Sequence, residues 1–304
     1  MGNFTTILRN TFMAFVAAFL FGATASAESI QISDKNGLKL NANLVLADNK
    51  SFSDGIVLIT HGTLAHNKME IIVSMQDLLA ERGISSLAHS LSLGLSDRTA
   101  MYDCAVPHTH KNTDFLEEIS LWLDWLEQKG ATNITIAGHS RGGNQVAWYA
   151  GEKDRSSISR VILVAPGTWN ADRAAKGFEK SHKAKLHTVL ARAEKMLNEG
   201  KGGDLMKGVG ILYCPGADVS AESFISYYNN DMRRDTPTVI PKIAKPTLLV
   251  IASEDKVNPL MHDAAKPFVQ SGKIEIAVVD GAGHFFRDLY ADDLADAMEE
   301  FISR

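Results

Sequence analysis

The serine at position 140 is the side chain with the clearest chemical potential. The stretch GHSRG at residues 138–142 places it between glycines, directly after the short apolar run at 134–137. This Gly-x-Ser-x-Gly spacing predicts a tight strand-to-helix turn, because the glycines let strand and helix pass close together while the serine hydroxyl is pushed into the open. Such a hydroxyl is suited to nucleophilic attack, whereas the alternative is a glycine-rich turn with an incidental serine.

A nucleophilic serine needs a base, and His284 is the best candidate for it. A histidine takes the hydroxyl proton in such sites, and a carboxylate orients the histidine. His284 follows an apolar run and lies in the loop GAGH, while His262 falls at a predicted helix start. The acid candidates, Glu254 and Asp255, directly follow the apolar run LLVIA. The shorter Asp255 is preferred and Glu254 stays open, so the predicted catalytic residues are Ser140, Asp255 and His284.

Backbone N–H groups must also stabilise the oxyanion of a tetrahedral intermediate. One predicted donor is the backbone of Arg141, the residue after the serine. The other is the backbone of Thr63 in the stretch LITHGT, where Gly62 permits a close approach. The neighbouring histidines, His61 and His139, are predicted substrate-binding residues.

The elements that must position these residues alternate along the chain. Short apolar runs lie at about 55–62, 84–90, 133–140, 159–166, 246–253 and 273–284, and amphipathic segments of helical length at about 68–82, 114–129, 142–152, 260–270 and 288–303. This alternation predicts a parallel sheet with helices on both faces, which binds ligands at the carboxyl ends of its strands. Before them, an alternating pattern around Asn36-Gly37 predicts an antiparallel hairpin at the sheet edge.

One connection is much longer than a crossover requires. About eighty residues separate Pro166 from Pro246, where about a dozen would suffice. A helical cap at about 168–240 is therefore predicted, either as a lid over Ser140 or as a solvated helical pair remote from substrate. Residues 171–210 carry nine Lys/Arg and five Asp/Glu, an excess of 9 − 5 = +4. This excess suggests that an anionic or polar substrate approaches beneath the cap.

Composition favours small-molecule chemistry. The chain has 304 residues, 45% hydrophobic and 22% charged, with a formal net charge of −5 and no block of like charges. Nothing therefore points to a nucleic-acid partner. His108 and His110 could line a pocket or bind a metal, but two histidines without cysteine or carboxylate partners are too few to predict a metal site. No cofactor is predicted, and the oligomeric state stays open.

The first 27 residues differ in kind from the rest. Arg9 is their one charged side chain, an apolar run extends from about 12 to 21, and Ala25-Ser26-Ala27 follows. This pattern predicts a secretory signal peptide cleaved after Ala27, with a retained membrane anchor as the alternative. A mature chain of 28–304 in the periplasm or outside the cell is expected, with no stable membrane span. In such an oxidising compartment Cys104 and Cys214 could form a disulfide or stay unpaired.

These motifs, in the order Ser140, Asp255 and His284, resemble those of the α/β-hydrolase superfamily over residues 30–304. The segment SLSLGLSDR at 90–98 is similar to the loop after that family's fourth strand, although the usual Asp-x-x-Gly-x-Gly is altered. The resemblance implies a mostly parallel, eight-stranded type of sheet with helices on both faces and a cap insertion. It also implies a serine hydrolase of the carboxylesterase type that forms an acyl-enzyme. The same residues would serve a thioesterase, amidase or peptidase, and a binding or sensing protein on this scaffold is the alternative from another class.

Overall fold

The computed structural model describes residues 27–304. Apart from Ala27, the predicted signal peptide lies outside the described residues. The strands are β1 (Ala27–Ser33), β2 (Lys39–Val45), β3 (Ile56–Thr60), β4 (Ser85–Ser90), β5 (Ile134–His139), β6 (Ile158–Val164), β7 (Leu205–Met206), β8 (Val219–Ser220), β9 (Thr247–Ala252) and β10 (Glu275–Val279). The α-helices are α1 (Glu70–Glu81), α2 (Phe115–Gln128), α3 (Arg141–Glu152), α4 (Ala171–His182), α5 (Leu186–Asn198), α6 (Ala221–Tyr228), α7 (Thr236–Val239), α8 (Met261–Gln270) and α9 (Leu289–Ile302). Across 27–304, the helices are all too short or too polar to cross a membrane.

Eight of these strands form one sheet in the order β1-β2-β4-β3-β5-β6-β9-β10. The strands β3, β4, β5, β6, β9 and β10 run parallel, while β1 and β2 are antiparallel at one edge. The predicted hairpin turns where the Asp34 carboxylate accepts the N–H groups of Asn36 and Leu38 at 2.8 and 2.7 Å. The mostly parallel eight-stranded sheet and its antiparallel edge are therefore confirmed.

Alternate residues of the central strands point to opposite faces, and each face is covered by helices. Ile56 and Leu58 of β3 pack into the core that holds the apolar sides of α2, α3 and α8. Val57 and Ile59 pack into a second core with α1 and α9. The five helices predicted from amphipathic spacing lie within two residues of their expected bounds. Because the residues on both faces of the sheet are buried, each strand is a continuous apolar run in the sequence.

Between β6 and β9 the chain folds into a cap, residues 168–240. Helices α4 and α6 pack on each other through Phe178, Phe224 and Tyr228, whose rings lie 4.7 to 5.5 Å apart, and α5 contacts both helices. Besides these helices, the cap contains the small antiparallel pair β7 and β8. The arm at 210–220 between α5 and α6 reaches back toward the sheet edge.

A disulfide joins this arm to the loop that follows β4. Cys104 and Cys214 are bonded, with their Cα atoms 5.2 Å apart and a separation of 110 positions in sequence. Beside this bond, Val219 pairs with His108, whose backbone N–H donates to Asp218 and whose carbonyl accepts from Ser220. On the chain-entropy model, closing a loop of this length stabilises the fold by roughly 5 kcal/mol. The second half of the cap is therefore held covalently against the sheet domain.

Candidate active site

Ser140 lies at the turn between β5 and α3 with a strained backbone, φ 57° and ψ −121°. A Cβ on Gly138 would lie well under 3.0 Å from the carbonyl oxygen of Gly142, and a Cβ on Gly142 would lie equally close to the carbonyl oxygens of Thr60 and His61. Both positions therefore require glycine, because real Cβ atoms do not approach backbone oxygens so closely. This contact between β3, β5 and α3 holds Ser140 at the apex of the turn.

His284 and Asp255 converge on Ser140 from the loops after β10 and β9. The Ser140 hydroxyl donates to His284 Nε2 at 2.9 Å, and His284 Nδ1 donates to Asp255 Oδ2 at 2.8 Å. The second carboxylate oxygen, Oδ1, accepts the backbone N–H groups of Val257 and Asn258 at 2.7 and 2.9 Å. All three side chains named from the sequence thus form one hydrogen-bonded chain.

The structure also separates the two acid candidates. Asp255 is 8% exposed and touches His284, whereas Glu254 is exposed to solvent. Burial raises the pKa of Asp255, but the hydrogen bonds from His284 and from the backbone outweigh it, so the pKa lies below its ordinary value. Asp255 therefore stays ionised at neutral pH and can orient and stabilise a protonated His284.

The backbone N–H groups of Thr63 and Arg141 lie beside Ser140 and have no protein acceptor within residues 27–304. The Arg141 N–H belongs to the first turn of α3, where helices leave their N–H groups unpaired. Thr63 is held in place from two sides, since Arg141 Nε donates to its Oγ1 at 3.2 Å and the Tyr213 hydroxyl donates to its carbonyl at 2.6 Å. This pair is suited to bind an oxyanion.

The prediction that His61 contacts substrate is wrong. His61 is 1% exposed and lies outside the walls of the cavities beside Ser140. Its Nδ1 donates to the Gly62 carbonyl at 2.8 Å, and its Nε2 accepts from the Leu91 N–H at 3.0 Å and from Arg98 at 3.2 Å. Both ring nitrogens are therefore occupied by the protein, and His61 ties the Thr63 loop to the loop after β4.

His139 does line a cavity, and it also supports the catalytic histidine candidate. Its Nε2 donates to the backbone carbonyl of His284 at 2.9 Å, and the two rings are tilted by 48° with their centroids 4.8 Å apart. The ring also packs against Phe285. The structure thus leaves His139 in a position to touch substrate while it orients the His284 loop.

Ser140 separates two cavities of different character. The first is about 260 Å³ and is called the polar cavity because Arg141, Arg234, Asn144 and Asn258 are among its walls, together with Trp169 and Tyr227. The second, the apolar cavity, is about 330 Å³ and is lined by Met69, Ile71, Ile72, Met101, Val257 and Phe285 among others. Both reach Ser140 and Thr63. A substrate spanning the serine would therefore place one side in each.

His108 and His110 are buried rather than exposed in a polar loop. A hydrogen bond of 3.2 Å joins His108 Nδ1 to His110 Nε2, and His110 Nδ1 lies 3.0 Å from the Tyr227 hydroxyl. Neither forms a wall of the two cavities, which they approach through Tyr227. Within 27–304, His, Cys, Asp and Glu side chains do not gather into groups of three that could hold a metal ion.

Buried histidines make the unfolding free energy depend on pH. Burial is the main cause that lowers the pKa of five of them: well below the ordinary value for His61, to about 3 for His89 and His110, and to about 4 for His108 and His139. The unfolded chain binds these protons near pH 6.5, so the free energy of unfolding falls as the pH drops from 6.5 toward 4. Burial raises the pKa of Glu118 to about 7. Below that pH the folded chain binds a proton at Glu118 that the unfolded chain lacks, so this group reduces the net proton uptake on unfolding by about one.

We expect a net uptake of roughly four protons on unfolding near pH 5, or a loss of roughly 5 kcal/mol per pH unit. Urea unfolding at pH 7, 6 and 5 measures this slope. In His89→Gln the slope should fall by about one proton, whereas in the exposed control His262→Gln it should not change. A flat stability profile between pH 7 and 5 would contradict the assignment of these histidines as buried and neutral.

Several cavity residues were missed by sequence reasoning. Arg234 and Trp169 come from the cap, and Asn258 comes from the loop after β9. Tyr213 had one usable signal, since it precedes Cys214 and the disulfide places it beside the site. For Arg234 no local pattern marks a site, because its neighbours in space are distant in sequence.

Known proteins share the fold of this chain. A model of the alpha/beta hydrolase family matches residues 56–297. A Mycoplasma pneumoniae protein named for esterase or lipase activity is 25% identical over 217 residues, 66% of this chain and 77% of that protein. The ferulic acid complex of Est1E from Butyrivibrio proteoclasticus has a TM-score of 0.63 at 21% identity, covering 90% of this chain and 98% of that one. An esterase of Pyrococcus furiosus, Pf2001, has a TM-score of 0.59 at 16% identity, covering 92% and 93%.

Proposed function

Since the chain belongs to the alpha/beta hydrolase family, we propose that it is an exported serine hydrolase that cleaves a carboxylic ester through an acyl-enzyme on Ser140. The observation that carries this proposal is the position of His284, between the Ser140 hydroxyl at 2.9 Å and the Asp255 carboxylate at 2.8 Å. A histidine held in this way can act as the general base that a serine needs at neutral pH.

The geometry supports a two-step reaction. His284 Nε2 takes the hydroxyl proton while Ser140 Oγ attacks the carbonyl carbon, and the resulting oxyanion accepts the N–H groups of Thr63 and Arg141. His284 then protonates the departing alkoxide, which leaves an acyl group on Ser140. Water, deprotonated by His284, attacks this acyl group, and the carboxylic acid product leaves with Ser140 restored. Asp255 stays ionised throughout and stabilises the protonated imidazole.

Ester hydrolysis is favoured over the other bond classes by the names of the similar proteins. The Mycoplasma relative is named for esterase or lipase activity, and the structural neighbours Est1E and Pf2001 include an esterase by title and a protein crystallised with ferulic acid. Thioesters and amides could be cleaved by the same three side chains, and a binding or sensing role would leave them without turnover. Activity measured on esters, thioesters and amides therefore decides which class of bond the protein cleaves.

Export rests on two features of the chain. Residues 1–27 have the charge and hydropathy pattern of a signal peptide, ending in Ala25-Ser26-Ala27. The disulfide between Cys104 and Cys214 suits an oxidising compartment such as the periplasm or the extracellular space. N-terminal sequencing of protein recovered from the periplasm or medium tests this part, with a chain beginning at Glu28 as the expected result.

A fluorophosphonate probe tests the nucleophile, and a substrate panel tests the reaction. We expect mass spectrometry to find the probe on Ser140 of the folded wild type, on no residue of Ser140→Ala, and again on Ser140 in the exposed-serine control Ser156→Ala. Ethyl esters, thioesters and anilides of matched acyl length should be cleaved in that order of preference. Unlabelled Ser140 in folded protein would overturn the serine hydrolase assignment, and labelling without turnover of any class would favour a sensing role.

A further inference from the structure

The polar cavity is positively charged and contains no acidic side chain among its walls. Two guanidinium groups, those of Arg141 and Arg234, line it beside Ser140 together with neutral polar groups. Of residues 171–210, where the cap has its excess of Lys and Arg, Ala174 alone reaches the cavity. The positive charge at the site therefore comes from α3 and from the segment after α6, and not from the charged helices of the cap.

Arg234 is 6% exposed, yet its protein partners are all neutral. Its guanidinium donates to the backbone carbonyls of Tyr227 and Asp231 and to the side-chain carbonyl of Asn229, and it stacks 4.5 Å from the Trp169 ring. No carboxylate of residues 27–304 lies within 4.0 Å of it. A guanidinium has five N–H groups, so at least two remain for a ligand.

The guanidinium group of Arg141 likewise contacts only neutral groups among residues 27–304. It donates from Nε to Thr63 Oγ1 at 3.2 Å and from Nη1 to Asn112 Oδ1 at 2.8 Å, and it stacks over the Tyr227 ring at 5.4 Å. These partners are neutral as well, and three N–H groups remain. Two cations without a direct contact to a carboxylate of the described residues therefore face one small cavity.

The adjacent arginine shows that this arrangement is specific to the cavity. Arg233 pairs with Asp231 and Glu152, both at 2.7 Å.

Burial first, and then the charge of Arg141, lower the pKa of Arg234 to about 10, against the opposite effect of the Asp231 carboxylate. Arg234 is nevertheless protonated at neutral pH. A buried cation without a counter-ion is unfavourable, and a bound anion would remove that penalty.

We propose that the polar cavity binds a carboxylate on the substrate, so that the esters cleaved at Ser140 carry a negative charge on one side of the scissile bond. Arg234 and Arg141 bind the carboxylate, for which the planar guanidinium fork is suited. The apolar cavity takes the other side of the ester. This inference rests on the proposed esterase function and adds the substrate class to it.

Two matched ester pairs test the proposal. Monoethyl glutarate against ethyl pentanoate places the charge in the acyl part, and 4-acetoxybenzoate against 4-acetoxytoluene places it in the alcohol part. We expect kcat/KM to favour the anionic ester at least tenfold in one pair. Arg234→Gln should lower that anionic-to-neutral ratio about tenfold to a hundredfold, and Arg234→Lys should restore part of it. The double variant Lys176→Gln/Lys180→Gln, which removes two exposed cap charges, should leave the ratio unchanged.

Equal or faster cleavage of the neutral ester in both pairs overturns the proposal while leaving the esterase function in place. A binding measurement tests the proposal independently of turnover. In calorimetry, Ser140→Ala protein should bind the anionic ester of the pair that shows the preference, and Ser140→Ala/Arg234→Gln should bind it at least tenfold more weakly at an unchanged melting temperature. Equal binding by both proteins, or none, also overturns the proposal. Absence of probe on Ser140 and of turnover for all four esters would instead reject the serine hydrolase function.

Discussion

Alanine at position 140 is expected to lower kcat/KM for ester hydrolysis by about four orders of magnitude or more. The substitution removes the oxygen that forms the acyl-enzyme and leaves His284 without the proton it takes at 2.9 Å. The free energy of unfolding should change little, since the hydroxyl of Ser140 has this one side-chain partner within residues 27–304. Initial rates with a reactive ester, and thermal unfolding of the same samples, measure both quantities.

A double variant at Ser140 and His284 tests the proton transfer between these side chains more sharply than either single variant. Residues that act as one unit lose most of the rate when any member is removed, so Ser140→Ala, His284→Ala and the double variant should have similar residual activity. Losses that add in the double variant would contradict a proton transfer between the two side chains. The same would follow if Ser140→Ala kept more than about one hundredth of the wild-type rate.

The adjacent carboxylates offer a matched control for the acid. Asp255→Asn should lower kcat by roughly two to four orders of magnitude, because the amide cannot stabilise a protonated His284 as a carboxylate does. Glu254→Gln should leave kcat within about twofold, since Glu254 is exposed and does not touch His284. The reverse ranking of the two variants would assign the acid role to Glu254.

The strand ends and the three catalytic candidates could be predicted because their signals are local. Buried strands are short apolar runs, and parallel strands bring their carboxyl ends to one edge. Ser140, Asp255 and His284 each follow such a run, so their order along the chain also places them in space. The distinction between Asp255 and Glu254 was not local, since it depends on which carboxylate turns toward His284.

The walls of the site could not be predicted in the same way. Arg234 is brought to Ser140 by the packing of the cap, and Tyr213 by the disulfide that crosses 110 residues. His61 shows the opposite case, because its sequence position predicts contact with substrate while Arg98 and Leu91 occupy its ring nitrogen. Long-range contacts of this kind leave no periodic pattern in the sequence.

The position of the active site depends on a close contact between backbones at Gly142. Substitution of this glycine is the second change for which we expect a large effect. Gly142→Ala is expected to cost at least several kcal/mol of unfolding free energy and to yield mostly insoluble protein. Its Cβ would lie well under 3.0 Å from the carbonyl oxygens of Thr60 and His61, which belong to the central strand and the Thr63 loop. Neither is a flexible side chain end, so α3 itself would have to move.

The control is an alanine at Gly177, a glycine in α4 where an added Cβ would meet no neighbouring atom of residues 27–304 within 4 Å. Gly177→Ala should raise the unfolding free energy by up to about 1 kcal/mol, since alanine is the better helix former. Urea unfolding of both variants measures the contrast. If Gly142→Ala folds with wild-type stability and activity, then close packing of α3 on β3 is not what holds Ser140 and the Arg141 N–H in place. If the fraction of Gly142→Ala that remains soluble and folded is less stable and also inactive, the same steric contact is needed for stability and for the positions of the nucleophile and the oxyanion donor.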